Sequence, residues 1–165
     1  MATRSARLAV LGSLVFLVGC DHATKGIASA ELDSGNVLEL IGGVMDFRYV
    51  ENTDIAFNLL RWVPETIRRP GLLVVGALGL LALVFVLLRA RHPSRLRRLA
   101  FVLLTAGAIG NYLDRIVRGY VVDFVHVHHW PVFNVADAYV TLAFFLLAFE
   151  AFGHRRTGPP QQASG

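Results

Sequence analysis

The chain has 165 residues, 55% of them hydrophobic, a mean hydropathy of +0.53 and a formal net charge of +4. This is one domain's worth of chain but too apolar for a soluble domain of that size, and it predicts a membrane protein. The single cysteine, Cys20, permits no internal disulfide and so excludes a disulfide-stapled outer module.

Four apolar runs stand out: Leu8 to Cys20, Gly71 to Leu88, Leu99 to Leu113 and Ala138 to Phe149. Only the second approaches the roughly 18 to 20 uncharged residues that a bilayer-crossing helix needs, so the others span only together with polar neighbours. Nine of the sixteen basic residues fall in three short segments: Arg4 and Arg7; Arg89, Arg91, Arg95, Arg97 and Arg98; Arg155 and Arg156. Four spans with both termini and the middle loop in the cytoplasm satisfy the positive-inside rule, Arg68 and Arg69 being a mild exception. Eleven of the twelve acidic residues then lie outside or at the outer membrane edge, with Glu150 left near the cytoplasmic side. A pI near 9.8 therefore reflects topology, and no nucleic-acid partner is expected. The fold class predicted is a mainly α membrane protein, a four-transmembrane-helix bundle with a small extracytoplasmic β-sheet cradle. Its spans are expected at about 6–26, 70–89, 98–116 and 132–153, with an outer segment at about 33–69, a cytoplasmic loop at 90–97, an outer loop at 117–131 and a cytoplasmic tail at 154–165.

Arg4 and Arg7 before an apolar run resemble a secretory signal, and Leu17-Val18-Gly19-Cys20 resembles a lipobox, which would make Cys20 a lipidated N-terminus. Three further apolar runs favour an uncleaved first span instead. Asp21 and Lys25, spaced i, i+4, read as a snorkelling interfacial pair worth a few tenths of a kcal/mol. From Glu31 to Arg69 the pattern is not helical. Val37–Ile41 and Met45–Val50, separated by Gly42-Gly43, predict a hairpin, and Asn52-Thr53-Asp54 a turn. Trp62 and Pro64 to Arg69 suit an interfacial connection. The second span holds Gly71, Gly76 and Gly79, which allow close helix approach but show no chemistry. The arginine-rich loop after it reads as an anchor to anionic lipid.

In the third run Gly107, Asn111 and Asp114 fall on one helix face, with Asp114 beside Arg115 as a candidate interfacial ion pair. Gly119 turns the chain, and Tyr120 to Val127, holding Asp123, has strand-like composition. His126, His128 and His129 lie in no His-Glu-x-x-His stretch, so no metal is predicted. Asn134 and Asp137 at the head of the fourth span can be an N-cap and an N3 acid. Each polar position has such a structural explanation. Together they share a further property: spans one, three and four are all polar at the outer end, and Asp123 lies in the loop joining two of them. Two carboxylates close together in a partly dry site cannot both ionise cheaply, so one keeps a proton. The charged member can deprotonate water while the other donates to a carbonyl, which is amide hydrolysis without a covalent intermediate.

These residues resemble lipoprotein signal peptidase, signal peptidase II, of peptidase family A8. The motifs occur in order: Asp21-x-x-Thr24-Lys25, Asn52-Thr53-x-x-Ala56-Phe57, Gly107-Ala-x-Gly110-Asn111-x-x-Asp114-Arg115, Val122-Asp123-Phe124 and Phe133-Asn134-x-Ala136-Asp137. The resemblance implies an aspartic endopeptidase that removes signal peptides from diacylglyceryl-modified prolipoproteins by cutting before the lipidated cysteine. It assigns Asp123 and Asp137 to catalysis, Asn52, Asn111, Asp114, Arg115 and Asn134 to support or substrate binding, and Asp21 and Lys25 to the periphery. It implies no cofactor or metal, membrane lipid and cyclic-peptide inhibitors as further ligands, a monomer, and a site near the periplasmic face of the bacterial inner membrane. Two departures stand out: Asp54-Ile55 follows Asn-Thr where the family commonly has glycine, and the segment from Asp123 to Asp137 is short. The first is expected to alter inhibitor or substrate fit. Rival readings are a non-enzymatic transporter or assembly subunit, and a lipoprotein lipidated at Cys20.

Overall fold

The computed structural model describes residues 4–33, 35–53, 62–89 and 94–155. Asp54, Ile55, Ala56 and Phe57, where the altered motif position falls, lie outside the described residues. The elements run α1 (Arg4–Leu32), β1 (Leu38–Ile41), β2 (Met45–Asn52), α2 (Glu65–Arg89), α3 (Arg95–Val117), β3 (Val121–Val127) and α4 (Val135–Arg155). Four helices, one of them counted from Val135 to Phe152, are long and apolar enough to cross a membrane, and the chain is a multi-pass membrane protein.

Three helices are longer than the spans expected of them, α3 by starting at Arg95 and ending at Val117. α1 runs through Glu31 to Leu32, its 29 residues reaching about 43 Å, longer than a hydrocarbon core about 30 Å thick. The interfacial connection expected at Pro64 to Arg69 is instead the opening of α2, which begins at Glu65. Pro64 presets the helical φ at this start and accepts from the amides of Ile67 and Arg68, while Glu65 complements the positive helix end.

α3 packs against each of the other three helices. Of its apolar window 44% is buried inside the protein, against 6% for α2, which is why α3 can carry Asn111 and Asp114 while α2 is wholly apolar from Gly71 to Leu88. Ala100, Leu103 and Ala143 form one apolar cluster, and Leu14, Leu87, Val102 and Ala106 another. Helices α3 and α4 cross closely at Gly107. A Cβ there would lie 2.5 Å from the Ala136 carbonyl oxygen and 2.8 Å from Val140 Cγ2. Gly107→Val is therefore expected to lower stability by about 1–3 kcal/mol or more, read as a drop in the thermal unfolding midpoint in detergent; an unchanged midpoint would show that the crossing can relax.

The sheet has the order β1-β2-β3 and is antiparallel throughout. The Gly42-Gly43 hairpin forms as expected, with Gly43 at φ 69° and Leu38 opposite Phe47. β3 leaves α3 through Gly119, at φ 86°, and pairs with β2 so that Val50 faces Asp123 and Asn52 faces Val121. An irregularity between Phe47 and Val50 places three steps of β2 against two of β3. Ala28 and Leu32 of α1 pack with Phe124, Phe47 and Tyr49, which seats the sheet on the C-terminal end of α1.

Candidate active site

Asp123 sits mid-strand on β3 and is 2% exposed. Across the sheet, on the diagonal where side chains of one face meet, Asn52 Nδ2 donates to its Oδ2 at 2.7 Å. After β3 the chain folds back sharply. His129 adopts a left-handed φ of 64°, the Trp130 amide donates to the Val127 carbonyl, and Phe133 exchanges backbone bonds with Val125. That return sets Asn134 against Asp123, with Asn134 Nδ2 donating to Asp123 Oδ1 at 2.6 Å. Both carboxylate oxygens thus accept from side-chain amides.

Asn134 also caps α4. Its Oδ1 accepts from the Asp137 amide at 2.9 Å, and Asp137 Oδ2 accepts from the Asn134 amide at 3.3 Å, a reciprocal capping box. The capping reading and the site reading therefore hold at once, because one asparagine serves the helix with its oxygen and Asp123 with its nitrogen. Asn111 completes the link: its Nδ2 donates to Asp137 Oδ1 at 2.8 Å, and its Oδ1 accepts from Asn134 Nδ2 at 3.2 Å and from Lys25 Nζ at 3.0 Å. A lysine ammonium can only donate, so Lys25 fixes which end of the Asn111 amide faces Asp137.

Asp21 and Lys25 do not snorkel; each is 0% exposed. Gly110 has no side chain to keep α1 away, and a Cβ there would come within 2.5 Å of Asp21 Oδ2. Asp21 Oδ1 accepts from the Ala136 amide at 2.9 Å, tying α1 to the first turn of α4. Lys25 Nζ lies 2.8 Å from both Asp21 Oδ2 and Asp114 Oδ2. Asp114, expected to pair with Arg115, is instead held by Lys25 and, at 3.8 Å, by Arg118. Successive helix residues point apart, so Arg115 faces elsewhere. Its guanidinium donates to the Asn111 carbonyl at 3.1 Å. Of the histidines, His126 contacts Asp46 at 2.9 Å, and the rings of His128 and His129 meet at a tilt of 56° with centroids 3.9 Å apart.

Asn52, Asp123 and Asp137 open into one cavity of about 760 Å³, otherwise walled by Trp130, Pro131, Val132, Phe133, Ala138, Thr141, Leu142 and Phe145. Thr141 and Phe145 follow Asp137 by one and two helical turns; that spacing was readable in the sequence, but not that this face of α4 is left uncovered. Burial, reinforced by the charge of Asp137, pushes the Asp123 carboxyl up to about 6, against the lowering pull of the Asn52 and Asn134 amides and of Lys25. The arrangement can hold one proton between two carboxylates beside an apolar-walled space.

A family model described as signal peptidase (SPase) II matches residues 13–153. A lipoprotein signal peptidase of Geobacter sulfurreducens is 35% identical over 157 residues, covering 92% of this chain and 93% of that one. One from Brucella ovis is 36% identical over 159 residues, covering 91% and 96%. Two solved bacterial membrane enzymes share the fold. One has a TM-score of 0.78 at 23% identity, covering 94% of both chains, and the other a TM-score of 0.74 at 26% identity, covering 87% of this chain and 92% of that one. With matches of this extent to both its sequence and its fold, the chain belongs to the signal peptidase II family.

Proposed function

We propose that this protein is an aspartic endopeptidase of diacylglyceryl-modified prolipoproteins, cutting immediately before the lipidated cysteine. The observation that carries the reading is that Asp123 and Asp137 line the same apolar-walled cavity and are joined through Asn111 and Asn134. Asp137 acts as the base and takes a proton from water. The resulting hydroxide adds to the scissile carbonyl, whose oxygen takes the proton held by Asp123. Collapse of the tetrahedral species breaks the C–N bond; Asp137 returns its proton to the leaving amine and Asp123 recovers its own. The products are the signal peptide's new carboxylic acid, which then gives its proton to solvent, and the free amine of the modified cysteine. Asn52, Asn134 and Asn111 hold the carboxylates in place, Arg115 supplies positive charge, and the cavity walls receive lipid and apolar side chains.

The protein acts as a monomer in the bacterial inner membrane, with both termini cytoplasmic and the site near the periplasmic face. The grouping of arginines at the helix ends away from Asp123 and Asp137 supports this orientation. Incubating the purified protein with one precursor in diacylglyceryl-modified and unmodified forms tests the activity. A single cut before the modified cysteine, and none in the unmodified precursor, is expected; a different cut position, or equal cutting of both forms, would refute the assignment.

The proton on Asp123 gives a pH test. The competent form loses it as pH rises through about 6, so kcat/KM of the free enzyme should fall on that alkaline limb. Asn52→Ala removes a donor that favours the charged carboxylate, and the limb should move to higher pH. A limb that stays in place or moves down contradicts the assignment of the proton to Asp123.

A further inference from the structure

At the opposite end of the bundle, where α1 and α3 both begin, the two helices leave a groove of about 480 Å³ that has no part in the site above. Its α1 wall includes the small residues Ala9 and Ser13, and its α3 wall includes Leu99 and Val102. Ser13 asks nothing of an occupant, since its hydroxyl already donates to the Ala9 carbonyl at 2.9 Å. The groove is therefore an apolar slot. Its charged groups are Arg95 and Arg98, three residues apart and on one face of α3.

Those two arginines differ from their neighbour. Arg97 Nε lies 2.9 Å from Glu150 Oε2, and Ser94 Oγ donates to the other oxygen of that carboxylate at 2.7 Å. Neither Arg95 nor Arg98 meets a carboxylate among the described residues. The first turn of α3 adds its partial positive charge to theirs, and Arg4 and Arg7 open α1 at the same end. An apolar slot between membrane helices, with two adjacent guanidiniums at its mouth, matches a ligand that is apolar along its length and anionic at one end. We propose that this groove is a binding site for an anionic phospholipid, one acyl chain lying between α1 and α3 and the phosphate held by Arg95 and Arg98. Unlike general attraction of the arginine-rich segment to a charged surface, this site has a fixed place and takes one lipid. The proposal does not depend on the catalytic reading.

Native mass spectrometry of the full chain, released from micelles carrying either phosphatidylglycerol or phosphatidylcholine of the same acyl composition, tests it. The parent should retain one phosphatidylglycerol and no phosphatidylcholine. Arg95→Gln/Arg98→Gln should weaken retention about 30-fold, roughly fivefold for each basic side chain. Ala9→Phe leaves every charge in place and fills the slot from an exposed position on α1, and it should also abolish retention. Arg89→Gln, which removes a guanidinium lying over the Phe85 ring outside the groove, should leave it unchanged. The site is refuted by equal retention of the two lipids, by unaltered retention in the double arginine variant, by retention surviving Ala9→Phe, or by an equal loss with Arg89→Gln.

Discussion

Asp123→Asn and Asp137→Asn are each expected to lower kcat/KM for lipidated precursor by about 10³-fold or more, while the protein still folds and still binds substrate. An amide can neither take a proton from water nor lend one to a carbonyl, and positioned acid–base groups typically contribute about 10² to 10⁴-fold each. In the proposed mechanism the two carboxylates act as a unit, so the double variant should be scarcely worse than either single one. The substitution at 123 has a second consequence. Both Asp123 oxygens accept from amide nitrogens, of Asn52 and Asn134, so an asparagine there must set one NH2 group against another. Cleavage is therefore to be read beside the thermal midpoint and precursor binding. Full cleavage by either single variant would remove that residue from the chemistry.

Lys25→Met should be the most destabilising single change in the bundle, by about 3–5 kcal/mol, because it takes the close cation from two buried carboxylates and leaves Asp114 only Arg118, 3.8 Å away. Asp21 is 0% and Asp114 3% exposed, and the ammonium is 2.8 Å from each. Breaking such a network by removing one partner costs far more than replacing all its members with apolar or neutral groups. Adding Asp21→Asn and Asp114→Asn to Lys25→Met should accordingly recover part of the lost midpoint. If the triple variant is instead less stable by the sum of its parts, the three groups are not coupled. Activity should stay low even where stability recovers, since Lys25 also orients the Asn111 amide toward Asp137.

Much of this was legible along the chain because it depends on near neighbours. Hydropathy and the placement of arginines marked four helices, Gly42-Gly43 marked the hairpin, Gly119 marked the turn into β3, and the polar helix ends marked the residues of the candidate site. Asn134 and Asp137 three residues apart announced a helix cap. The partners of these groups are another matter. That β3 pairs with β2, bringing Asn52 to Asp123 across 71 residues, depends on how the sheet seats against α1, which no local pattern records. Adjacency in sequence pointed Asp114 to Arg115, whereas side chains one step apart on a helix diverge and the true partner is Lys25 on another helix. Spacing read Asp21 and Lys25 as a surface pair; the missing side chain at Gly110 lets α1 close over them and turns a weak exposed contact into a buried network. Composition and periodicity act over a few residues, and so they set which elements form and at which end the polar groups collect. Which polar group meets which depends on the faces that close packing brings together, and those are set by the folded bundle as a whole.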